Sequence, residues 1–318
     1  MLTALLILAV CFVAFTNGAN ANFKGVASLY GTGTTSRRTT IYWGTATTFA
    51  GSIAGLFVAQ GLLSSFTGRG IVPDELVRSP LFLSAVAIGA ALTSFLATRL
   101  GFPVSTTHAL VGALVGAGWA GSGSAVNLGA AVKLFLYPLL FSPAVAIVLG
   151  AVVYRVLKRA RLAPDHRTPT LDVLHFLSTG AASFARGLND TPKMAALLLI
   201  APGVSVQGSW ILVACIIALG GLLDADRVAE TLGKKVTDMN PGQGFAASLV
   251  TAGLVVTASF HSLPVSTTHV SVGSLVGMGA STRQAKWRKI SEIMLVWVST
   301  MPCGAVLAAL AFYIISRF

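Results

Sequence analysis

Pro103-Val104-Ser105-Thr106-Thr107-His108 occurs a second time, letter for letter, as Pro264-Val265-Ser266-Thr267-Thr268-His269. The likeness runs on, with Val111, Gly112, Leu114, Val115, Gly116 and Gly118 facing Val272, Gly273, Leu275, Val276, Gly277 and Gly279. Upstream, Phe15, Gly18, Asn20 and Lys24 align with Phe184, Gly187, Asn189 and Lys193 in the same order. An identity of this length, preceded by a matched polar cluster, points to a duplicated unit rather than to chance. The chain therefore reads as two repeats, residues 1–160 and 161–318, divided by a basic connector at 155–170.

The surroundings of the repeats are apolar. Of 318 residues, 54% are hydrophobic and 10% charged, and the mean hydropathy is +0.79. Soluble domains carry roughly 25% charged residues, so a water-facing surface is excluded. Apolar segments fall at 2–16, 41–66, 80–99, 103–120, 127–155, 171–185, 193–203, 208–224, 243–261, 264–280 and 290–316. A helix needs about 20 apolar residues to cross a bilayer. The expected fold is thus an all-α integral membrane protein of two inverted-topology repeats, with broken or re-entrant helices at the midplane. Breaks are tolerated in a membrane only where protein or a watery cavity satisfies the freed backbone groups, which directs attention to Gly101–His108 and Leu263–His269.

The formal charge of +12 would suggest nucleic acid in a soluble protein. Here the basic residues gather in connectors, as at Arg155, Lys158, Arg159, Arg161 and Arg167, in the manner of cytoplasmic loops. A nucleic-acid partner is excluded, and the connector is expected in the cytoplasm of a bacterial inner membrane. The run Leu2–Phe15 lacks a basic flank and is expected to stay in the mature protein. Cys11, Cys215 and Cys303 lie in apolar runs without metal-ligand spacing and are expected to be packing residues.

The repeated motif carries a specific chemistry. Pro suits the first turn of a helix, which would leave the following Ser and Thr near a helix start with unpaired N–H groups. Such a terminus attracts anions, and the hydroxyls of Ser105, Thr106, Thr107, Ser266, Thr267 and Thr268 add uncharged donors. Two copies could grip a tetrahedral oxyanion from both sides; the plainer alternative is that the hydroxyls bond their own helix carbonyls. Asn20, Asn189 and Asp190 are expected in short glycine-bearing breaks, where an intramembrane carboxylate marks a functional site. Lys24 and Lys193 either attract the anion as a matched pair or snorkel to the interface. His108 and His269 are expected to be fixed hydrogen-bonding residues. No metal cluster, HExxH or nucleotide loop is present, so neither a catalytic residue nor a resident cofactor is expected.

These residues resemble the inorganic phosphate transporter (PiT) family, whose members carry a Gly-Ala-Asn-Asp signature in each half and a Pro-Val-Ser-Thr-Thr-His segment downstream. The resemblance covers essentially the whole chain. It implies a carrier, not an enzyme, that moves phosphate with Na⁺ or H⁺ by alternating access. It also implies that Asn20, Asn189, Asp190 and the Ser/Thr hydroxyls of residues 105–107 and 266–268 bind substrate, with Asn20, Asn189 and Asp190 also serving the coupling cation. Two departures stand out. The first signature reads Gly18-Ala19-Asn20-Ala21, and the second reads Gly187-Leu188-Asn189-Asp190 behind Arg186. Loss of one carboxylate predicts weaker or fewer coupled cations than in a two-aspartate relative. It also removes an acceptor for a phosphate O–H, which makes sulfate the runner-up substrate. An anion channel and a non-transporting sensor are the competing classes. Membrane lipid surrounds such a chain, and a homodimer is compatible with a sequence that leaves the oligomeric state open.

Overall fold

The structure is a computed structural model that describes all 318 residues. Ten long helices account for the architecture: α1 Leu2–Ala21, α2 Arg37–Val58, α3 Pro80–Arg99, α4 Thr106–Ser122, α5 Tyr137–Arg159, α6 Pro169–Ala195, α7 Val206–Leu223, α8 Pro241–Phe260, α9 Thr267–Ser281 and α10 Trp287–Ile315. There is no strand, only two isolated bridges. Local chemistry fixes several starts. Ser36, Ser79 and Thr168 each accept a backbone N–H at a helix N-terminus. Asn240 and Gln243 cap α8 reciprocally, with Pro241 in the first turn where its missing N–H is harmless.

Seven helical stretches are long and apolar enough to cross a membrane, and they contain α1, α2, α3, α5, α7, α8 and α10. The exceptions are α4, α6 and α9. α4 and α9 are short, with 17 and 15 residues, and α6 carries Asp172, Arg186, Asp190 and Lys193. The three helices that depart from a plain span carry both Thr-Thr-His motif ends and the Arg186–Lys193 cluster. α5 and α10 lie outermost, with Leu140, Phe141, Val148, Leu295, Val298 and Val306 exposed as a lipid-facing surface would require.

Helix packing is reciprocal. α1 packs on α3 and on α7, while α6 packs on α8 and on α2. α4 packs on α10, and α9 on α5. α1 and α6 thus each lean on a helix of their own half and on one of the other, whereas α5 and α10 pack chiefly on helices of the opposite half. Lipid supplies no hydrophobic drive between helices, so close backbone approach through small residues does that work. A Cβ on Gly18 would lie 2.1 Å from the Ile217 carbonyl oxygen, and one on Gly187 would lie 2.1 Å from that of Thr48.

The structure changes three expectations. The segments at 171–185 and 193–203 are not separate: α6 runs unbroken from Pro169 to Ala195 and continues as a 3₁₀ turn, Ala196–Leu198. Asn189 and Asp190 therefore sit within a helix, and Asn20 in the last turn of α1. The glycines that suggested a break serve close packing instead. Pro103 and Pro264 do not open their helices either, because the N-caps are Ser105 and Ser266, two residues later. Lastly, Cys215 is exposed rather than packed. The breaks at 101–105 and 261–266 are real, separating α3 from α4 and α8 from α9.

Candidate functional site

α6 presents Arg186, Asp190 and Lys193 on one face, at i−4, i and i+3. Lys193 Nζ lies 3.1 Å from Asp190 Oδ1, and Arg186 Nε lies 3.6 Å from Asp190 Oδ2. Pro192 has no N–H for the carbonyl of Leu188, four residues back, so the helix ladder is already interrupted beside this cluster. Asp190 is the only buried acidic side chain in the protein. Lys24, Arg186 and Lys193 are buried as well, at 3%, 2% and 1% exposure. Three formally cationic side chains therefore accompany one carboxylate in the interior. Unpaired buried charge is costly, and an anion placed here would offset the formal excess.

The first half reaches into the same cluster. Asn17 Nδ2, on α1, donates to Thr106 Oγ1 at 2.9 Å and to Asp190 Oδ2 at 3.3 Å. Asn17 Oδ1 accepts from an Arg186 guanidinium N–H at 2.9 Å, and Thr48 Oγ1 accepts another at 3.2 Å. Thr267 Oγ1, at the start of α9, donates to Asp190 Oδ2 at 3.4 Å. The N-termini of α4 and α9 thereby meet around one carboxylate. The first N–H groups of each helix, at Thr106, Thr107, Thr267 and Thr268, have no intrahelical acceptor. Carboxylate and tetrahedral oxyanions use the same donors, so the surroundings of Asp190 describe what an oxyanion would find there.

The two breaks are cross-stitched. Thr107 Oγ1 donates to the Val265 carbonyl at 3.3 Å, and Thr268 Oγ1 donates to the Val104 carbonyl at 2.7 Å. Lys24 Nζ donates to the Val104 carbonyl at 2.6 Å, and Lys193 Nζ to the Val265 carbonyl at 3.0 Å. None of the four threonines bonds its own helix. Ser105 and Ser266 behave differently, each accepting the N–H of the histidine three residues on, as an N-cap. Asn20 clamps the first break, donating to Thr98 Oγ1 and the Phe102 carbonyl and accepting the Val104 N–H. Asn189 donates to Ser259 Oγ at 3.1 Å and accepts from Lys193. The His108 and His269 rings lie 4.4 Å apart between centroids, tilted by 48°, and His269 lies 3.9 Å from the Trp297 ring, tilted by 30°. Their Nδ1 atoms are buried without partners, so these rings are not hydrogen-bonded fixtures of the kind expected.

The structure thus brings Thr106, Thr107, Thr267, Asn189, Asp190 and Lys193 together, with Lys24 and Thr268 on the neighbouring carbonyl. Asn20, Ser105 and Ser266 stand behind them and shape the breaks. Sequence reasoning gave no role to Asn17 or Arg186. Arg186 was visible as a second charge inside an apolar run. The alignment that pairs Asn20 with Asn189 also pairs Asn17 with Arg186.

The profile described as "Phosphate transporter family" matches residues 17–308. A probable low-affinity inorganic phosphate transporter of Rhizobium meliloti is 31% identical over 324 residues, covering 97% of this chain and 95% of that protein. A sulfate permease of Bacillus subtilis is 28% identical over 292 residues, covering 90% of this chain and 80% of that one. Among solved structures, a sodium-dependent phosphate transporter superposes with a TM-score of 0.83 over 100% of this chain and 99% of its own, at 21% identity. The family comprises transporters rather than enzymes, and this multi-pass membrane chain belongs to the phosphate transporter family.

Proposed function

We propose that the protein is a secondary transporter that carries inorganic phosphate across a membrane by alternating access, with Na⁺ or H⁺ as the coupling cation. One observation carries the reading: two helix N-termini, with the hydroxyls of Thr106, Thr107 and Thr267, and the cationic side chains Arg186 and Lys193 gather about one buried carboxylate, with Lys24 buried nearby. A divalent oxyanion arriving there would neutralise the excess charge. It would take the donors that Asn17, Arg186 and Thr267 now aim at the Asp190 carboxylate, while Lys193 stays beside both. A phosphate that keeps a proton could in turn donate to Asp190. Asn20, Ser105 and Ser266 hold the breaks in shape around it, and Asn189 holds Lys193.

Alternation follows from the cross-stitching. The repeats 1–160 and 161–318 are read as inverted copies, supported by the exchanged packing of α1 with α7 and α6 with α2. Rocking one half on the other would trade the Thr107–Val265 bond against the Thr268–Val104 bond, opening the buried site to one side at a time. The basic connector is assigned to the cytoplasmic face and the membrane to a bacterial inner membrane.

Sulfate is the second reading, favoured by Ala21 in place of a carboxylate and by the similarity to a sulfate permease. Radiolabelled phosphate uptake into proteoliposomes, under separate Na⁺ and pH gradients and with sulfate as competitor, tests both. Uptake that follows one gradient and resists sulfate is expected. Strong competition by sulfate would transfer the function to the second reading, and flux indifferent to both gradients would remove the coupled mechanism.

A further inference from the structure

Lys193 Nζ is surrounded by oxygen. It donates to Thr107 Oγ1 at 2.8 Å, to the Val265 carbonyl at 3.0 Å and to Asp190 Oδ1 at 3.1 Å, and it contacts Asn189 Oδ1 as well. An ammonium has three protons to give, and here four acceptors crowd it. A carboxylate, an amide, a hydroxyl and a backbone carbonyl are together the ligand set that hard cations select. The set is contributed by α6, by the break before α9 and by α4 of the other half, so no short segment of the chain could have built it for a lysine alone.

We propose that Lys193 is a tethered cation: its ammonium occupies a monovalent-cation site formed by Thr107, Asn189, Asp190 and the Val265 carbonyl. The protein therefore binds no Na⁺ at this point, and removal of the ammonium converts the cage into a Na⁺ site. The matched lysine supplies an internal control. Lys24 Nζ has the Val104 carbonyl as its single hydrogen-bond acceptor. Ala21 stands where the second half has Asp190, and Asn20 Oδ1 is spent on the Val104 N–H. Without a carboxylate and an available amide oxygen, truncating Lys24 leaves no comparable cage. The consequence for transport rests on the phosphate-carrier reading above; the occupancy of the cage does not.

The test is thermal denaturation of the purified full-length protein in detergent, in NaCl against N-methylglucamine chloride at equal ionic strength, paired with ²²Na⁺ binding. Wild type sets the baseline of Tm and ²²Na⁺ binding in the two salts, any Na⁺ used for coupling being held at a point other than the cage. Lys193→Ala should gain saturable ²²Na⁺ binding and a Na⁺-specific Tm rise of about 3 °C or more, and Lys24→Ala should gain neither. Recovery of Lys193→Ala only in Na⁺ buffer would be the same result in another form. A folded Lys193→Ala that ignores Na⁺ overturns the proposal. If that variant is lost in either salt, wild-type binding decides: saturable ²²Na⁺ binding abolished by Asp190→Asn overturns the proposal, and its absence upholds it. These readouts involve no phosphate, so they stand or fall separately from the uptake assay.

Discussion

Asn20 and Asn189 hold matched positions in the two repeats, yet they serve different ends. Asn20 spends its whole side chain on the first break, on Thr98, Phe102 and Val104. Asn189 divides its amide between Ser259 in the matching place and Lys193. The neighbouring residue explains the divergence. Asp190 draws Lys193 and Arg186 to itself, whereas Ala21 offers Lys24 nothing and leaves it on a carbonyl. A duplicated scaffold can thus keep its geometry in both copies while one copy holds the carboxylate and the other lends donors.

The largest effect expected from probing this asymmetry is at Asp190. Removing one partner of a buried ion pair costs about 3–5 kcal/mol, so Asp190→Ala should lower stability by that order and abolish phosphate uptake in proteoliposomes. Retained uptake would break the comparison at its centre. Gly18→Val and Gly187→Val come next, and should act alike. Each pushes a side chain into a carbonyl of the opposite half, and overpacking costs about 1–3 kcal/mol, readable as a comparable Tm loss in both.

Thr107→Val and Thr268→Val should part company. Thr107 accepts from an ammonium and Thr268 does not; bonds to charged groups contribute about 1.5–3 kcal/mol against roughly 0.5–1.5 for neutral ones. The Tm drop should be the larger for Thr107→Val, and equal drops would remove the asymmetry. Ala21→Asp restores a carboxylate three residues before Lys24. It is expected to shift selectivity several-fold toward phosphate over sulfate in competition uptake and, because Ala21 is fully buried, to lower Tm as well.

The smallest effect belongs to the connector. Hydrogen bonds from Lys158 hold the Asp165 carboxyl below the usual carboxylate range. A depressed carboxylate stabilises the fold at neutral pH and loses that contribution as pH falls through its lowered titration range. Asp165→Asn should therefore flatten the acid limb of the Tm–pH profile slightly and leave uptake untouched, since the residue is exposed and outside both breaks.

Much of this was legible in the primary structure. The membrane setting, the repeat and the two breaks follow from apolar run lengths and from Pro, Gly and Ser, whose effects are local. Asp190 announced itself as a charge in an apolar stretch. The supposed break around Gly187–Asp190 misled because glycine has two uses, and only the packed neighbour at Thr48 reveals which one applies. Asn17 was passed over for the same reason, since an amide in an apolar helix says nothing of whom it meets.

The sequence by itself determined the bilayer-spanning helices, the duplicated unit and the placement of hydroxyls at two helix starts, because run length, turn chemistry and capping act within a few residues. Tertiary structure alone decided that Lys193 lies on Thr107, that Arg186 meets Asn17, and that Lys24 joins them near a single buried carboxylate by way of the Val104 carbonyl. Those pairings join residues of opposite halves, and only the packing of one half against the other selects them.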